Sequence, residues 1–144
     1  MRIRYPKALP ERVQQDIFQL LDDLDVAADA GPFEGRRAGA VIDLWTLLVA
    51  VPLATYSNAF LQKAGESTWQ ALCRAARRVA LSRGEPGDEP LLIIEIEGHR
   101  TSFAFPSELD LDARLAIVRL LEGDHESGAR YRWDPVHRSW TPMK

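Results

Sequence analysis

Apolar side chains recur at Val13, Ile17, Leu20, Leu21 and Leu24, a three-and-four spacing that gives a helix one core-facing stripe. Pro10 can open that helix with Glu11 in its first turn, and the pattern ends near Asp25. Ahead of it, Arg2-Ile3-Arg4-Tyr5 alternates polar and apolar as a short strand does. Behind it, Gly31, Pro32, Gly35 and Gly39 mark a connection, with room for a brief strand at 26–28.

Residues 40–60, AVIDLWTLLVAVPLATYSNAF, admit more than one reading. Read as a helix, 40–56 is apolar on most sides, with Asp43 and Thr46 sharing one narrow face. The length is close to that of a membrane span. Asp43 opposes a span at a cost of roughly 2.5–3.5 kcal/mol near a bilayer centre. Pro52 opposes it too, because it removes a helical hydrogen bond and kinks the chain. Past Pro52 the pattern turns amphipathic: Leu53, Tyr56, Phe60 and Ala64 oppose Thr55, Ser57, Asn58, Gln62 and Lys63. A bilayer has no use for that polar face, whereas a globular core does. The favoured expectation is therefore a kinked core helix. A membrane anchor over 40–56 is one alternative. A face covered by a partner, through Leu44, Trp45, Leu48 and Val51, is the other.

Gly65 stops this segment, and Ser67 or Thr68 can cap the next helix, expected over 67–83. Its stripe is Trp69, Leu72, Cys73, Ala76, Val79 and Ala80, with Gln70, Arg74, Arg77 and Arg78 outside it. Two successive helices so closely spaced predict an αα-hairpin. After the loop GEPGDEP, LLIIEIE and RTSFAF flank Gly98-His99, which suits a two-residue type II′ hairpin. The implied register sets Ile96 opposite Thr101, Ile94 opposite Phe103 and Leu92 opposite Phe105, with Glu97 pairing Arg100. Ser107 can cap a last helix carrying Leu109, Leu111, Leu115, Ile117, Val118, Leu120 and Leu121, stopped by Gly123. Tyr131 and Trp133 then alternate, turn near Asp134-Pro135 and return through Trp140, a second hairpin.

These elements predict an α+β fold, with antiparallel hairpins packed against an αα-hairpin and two further helices. One domain over 1–144 is expected, with a helical half to about residue 84 and a hairpin-helix-hairpin half from about residue 90. Composition leaves this picture unchanged: 46% hydrophobic, 27% charged and a net charge of −3. So small a charge gives no global attraction to nucleic acid or an anionic membrane. Cys73 stands alone, so no intramolecular disulfide forms, and the start of the chain lacks the apolar region of a secretory signal. Both features suit a reducing cytoplasm.

Candidate chemistry is sparse. His99, His125 and His137 fall in no metal-binding spacing, and Asp124-His125-Glu126 reads as a solvated loop because neighbours in sequence rarely converge on one ion. Cys73 lies on an apolar stripe, no serine sits in a nucleophile elbow, and the scattered glycines form no phosphate loop. The carboxylates at Asp22-Asp23-Asp25 and Glu95/Glu97 read as solvated faces. No catalytic, cofactor or metal residue is assigned, and no cofactor is expected. An enzyme is the less favoured class. Arg74, Arg77 and Arg78 supply the clustered cations that phosphate binding needs, but Trp69 lies on the opposite face of their helix. The leading expectation is a small cytoplasmic interaction protein: an adaptor, accessory or inhibitor-type subunit. It would bind a protein partner, or itself as a homodimer, through the apolar segment. The alternatives are the membrane-tethered protein and a nucleic-acid binder using the arginine face.

Overall fold

The computed structural model describes residues 1–22, 29–32, 46–57, 61, 66–82, 91–106, 111–123, 125 and 128–143. In chain order these form β1 (Arg2–Tyr5), α1 (Glu11–Asp22), β2 (Asp29–Pro32), β3 (Leu47–Pro52), the single turn α2 (Leu53–Tyr56) and α3 (Glu66–Ser82). Then come β4 (Leu92–Glu97), β5 (Thr101–Phe105), α4 (Leu111–Glu122), β6 (Arg130–Asp134) and β7 (Ser139–Pro142). The fold is α+β, and all the strands join one seven-stranded mixed sheet in the order β2-β1-β3-β4-β5-β6-β7.

Residues 47–52 are the main correction. They were expected within a helix and form an interior strand, antiparallel to β1 and parallel to β4. A continuous apolar run is what a strand buried on both faces requires. Leu47, Val49 and Val51 point into the main core, and Ala50 is buried on the opposite face. The apolar character that suggested a membrane span or a partner-covered helix is thus met by neighbouring strands. No helix of the described residues is long and apolar enough to cross a membrane. Pro52 ends the strand at φ −65° and ψ 152° and opens α2, so it acts at a boundary where its missing N–H costs little. Ser57 and Leu61 continue in helical geometry after α2, and α1 packs beside α3. Residues 40–45, 58–60 and 62–65 of the expected helix lie outside the described residues, as do the brief strand at 26–28 and the Ser107 cap.

The first hairpin keeps the expected register, with Leu92, Ile94 and Ile96 opposite Phe105, Phe103 and Thr101. Its turn differs. Gly98 takes φ 89°, and the His99 N–H donates to the Ile96 carbonyl at 3.3 Å, so glycine fills the third position of a type II turn. Glu97 bonds Arg2 across the sheet, at 3.2 Å, in place of the expected Arg100. The second hairpin also forms, with Trp133 opposite Trp140, and joins the first through a parallel β5–β6 pairing.

Alternation then builds the core. Ile3, Val49, Ile94, Phe103 and Tyr131 lie across one row of the sheet, and α1, α3 and α4 bury Ile17, Leu72 and Ile117 in the same cluster. In α4 the expected stripe is displaced. Leu111 is 43% exposed, while Arg114 is 4% exposed with its guanidinium 4.8 Å from the Trp69 ring centre. The Tyr56 hydroxyl donates to the Arg114 carbonyl at 2.8 Å, and burial pushes that phenol's pKa up, so it stays protonated as a donor. Trp140 Nε1–H donates to the Ala113 carbonyl at 2.9 Å, fastening α4 to the last strand.

A candidate arginine-lined interaction groove

Helix α3 turns Trp69, Leu72, Cys73, Ala76 and Val79 inward. The same helical period places Arg74, Arg77 and Arg78 together on the outer side, with Leu81 one turn further on at 72% exposure. Helix α1 lies alongside and contributes Asp16, Gln19 and Leu20. Between the two helices runs an open groove of about 630 Å³, lined by those three residues and the three arginines. Among the described residues the lining carries three guanidinium groups against a single carboxylate, a local surplus of positive charge on a chain whose net charge is −3.

Arg78 and Asp16 form an ion pair across the groove, with both side chains well exposed. An exposed pair of this kind contributes only about 0.2–1 kcal/mol. A carboxylate from another molecule can therefore replace Asp16 at little cost. Leu20 packs partly against the core and Leu81 stands exposed, so apolar surface borders the cations at two places.

The other expected site residues lie elsewhere. Val51 is fully buried in β3, and Leu48, half-buried, points to the opposite face of the sheet between Arg4 and Ile93. Leu44 and Trp45 lie outside the described residues. The structure thus groups Arg74, Arg77 and Arg78 but separates Leu48 from Val51, because residues three apart share a helix face and not a strand face. Sequence reasoning missed Asp16, Gln19, Leu20 and Leu81. Periodicity shows which residues leave the core stripe, but not that α1 lies beside α3.

Two other places have the ingredients of a site. A smaller concavity of about 410 Å³ between α4 and the last hairpin holds Arg119, Trp133 and Arg138, with Arg138 bonded to Asp112 at 3.0 Å. At the β6–β7 turn, Asp134 accepts from His137 Nδ1 at 2.6 Å and from the Val136 N–H at 2.9 Å. That carboxylate is occupied in shaping a turn whose Val136 is 84% exposed, so the Asp–His pair sits on a tip and not in a cleft. Among the described residues, no group of three or more histidine, cysteine or acidic side chains could hold a metal ion. No protein-family model matches the chain, and neither a curated protein nor a solved structure matches it.

Proposed function

We propose that this chain is a non-enzymatic interaction protein, an adaptor or accessory subunit, that receives an acidic segment of a partner protein in the α1–α3 groove. The carrying observation is the set of three exposed arginines, Arg74, Arg77 and Arg78, facing α1 across one groove. Arginine suits this task because its planar fork bonds a carboxylate at two points, and its weak hydration lowers the cost of drying the contact. Leu20 and Leu81 add apolar surface at the margin, so the favoured ligand alternates carboxylates with an aliphatic side chain.

Nucleic acid is the second reading of the same cations. It is less favoured because among the described residues the groove lining holds no aromatic side chain for base stacking and includes Asp16. The apolar segment no longer supports a docking helix, since Leu47, Val49 and Val51 are spent on the core. A cytoplasmic location and a homodimer remain part of the proposal, the dimer resting on the general frequency of twofold assemblies.

The test compares the native chain with an Arg74→Glu/Arg77→Glu/Arg78→Glu variant as bait in lysate from the source cell. A partner retained by the native chain, lost with the variant and released by salt is the expected outcome. Identical sets of bound proteins would overturn the reading. Fluorescence anisotropy with single- and double-stranded DNA at low salt decides the alternative, which requires tight binding with a steep salt slope.

A further inference from the structure

A second feature lies away from the groove and does not depend on it. His99 stands in the β4–β5 turn and His125 follows the end of α4, far apart in sequence, yet their ring centres lie 5.7 Å apart at a tilt of 51°. We propose that His99 and His125 form a two-imidazole site for a divalent transition-metal ion of borderline softness, such as Zn²⁺ or Ni²⁺. With metal–nitrogen bonds of about 2.0–2.1 Å, two imidazoles sharing a tetrahedral ion hold their ring centres about 5 Å apart. The observed spacing of 5.7 Å is close to that value.

The surroundings orient the His125 ring and hold the turn that carries His99. His125 Nδ1 lies 3.4 Å from the Gly123 carbonyl, a contact that favours the proton on Nδ1 and leaves the lone pair on Nε2. A backbone carbonyl holding the far nitrogen is the usual support for a metal-binding histidine. Gly123 is itself held, its N–H shared between the Arg119 and Leu120 carbonyls at the close of α4. On the other side, Thr101 Oγ1–H donates to the His99 carbonyl at 2.9 Å and steadies the turn. Both histidines are half-buried, which leaves a path for an ion and its remaining water ligands.

Neutral nitrogen donors select zinc, nickel or copper over magnesium or calcium, which want oxygen. The bound ion would tie the β4–β5 turn to the end of α4. Sequence reading dismissed His125 with Asp124 and Glu126 because adjacent residues converge poorly. What it could not see is that His99 arrives from another turn.

Titration of the full chain with NiCl₂ and ZnCl₂ tests the site by calorimetry, and paramagnetic Ni²⁺ allows its location by NMR. One ion per chain is expected, with the His99 and His125 imidazole signals broadening together. His99→Gln and His125→Gln should each weaken affinity roughly tenfold or more. His137→Gln serves as the control and should change nothing. Circular dichroism of each variant establishes that its fold is intact. Failure to bind at millimolar metal would overturn the site, as would binding that survives His99→Gln or disappears with His137→Gln.

Discussion

Arg114 departs furthest from what its type leads one to expect, since a fully buried arginine is rare unless paired. It occupies a helix position next to Ala113 in the core while Leu111 faces solvent, and Trp69 offers its ring to the guanidinium. A cation over an indole recovers part of the lost hydration. Arg138 is the next departure. Its φ of 49° lies in the left-handed region that glycine adopts freely and other residues adopt at a cost of roughly 1 kcal/mol. Arg138→Gly is therefore expected to be more stable than Arg138→Ala by about 1 kcal/mol. Both variants lose the exposed bond to Asp112, so the difference between their urea midpoints isolates the backbone effect.

Asp134 carries a pH prediction at the same scale. The His137 side chain, then the His137 backbone N–H, hydrogen-bond its carboxylate and hold its pKa below the ordinary value. A carboxyl whose pKa is depressed on folding releases its proton more readily in the native state. Its contribution is complete above the usual aspartate range and is lost as pH falls through the folded value. Urea melts between neutral pH and pH about 3 should show a shallower acid loss in Asp134→Asn than in the native chain. Parallel acid limbs would show that the turn contributes nothing to it.

Among the elements, β3 separates two readings that its sequence leaves open. A helix would set Leu48 and Val51 on one side, whereas the strand sets them on opposite faces. Val51 is fully buried opposite Ile96 of β4, while Leu48 is half-buried. Val51→Gln is expected to cost about 3 kcal/mol or more, by burying an amide and breaking packing. Leu48→Gln should cost about 1 kcal/mol. Thermal melts of the two variants check the contrast, and equal losses would contradict the strand. The sheet's edge strands are built to resist further pairing. Both β2 and β7 are four residues long and carry Pro32 or Pro142, which removes a donor from the ladder.

For the molecule as a whole, the pairing of α1 with α3 creates the groove between them. Sequence spacing makes Arg74, Arg77 and Arg78 neighbours on one helix, but only the packed structure supplies the facing wall of Asp16, Gln19 and Leu20. If the groove binds an acidic partner, its affinity should fall as salt rises, because the cations are exposed. The same distinction applies to the histidines: His99 and His125 are separated along the chain and meet only because the fold brings the end of α4 beside the β4–β5 turn.

What the sequence alone determined was local. The stripe of α3 follows from a period of three to four, and the β4–β5 register follows from alternation, in which a one-residue slip would exchange buried and exposed faces. The path of residues 47–52 was decided by tertiary structure. A run that is apolar on every side fits a buried helix and a buried strand equally well, so periodicity is silent. Hydrogen bonding to β1 on one side and β4 on the other selects the strand. The burial of Arg114 and the meeting of α1 with α3 were likewise settled by contacts between distant residues, which no local pattern encodes.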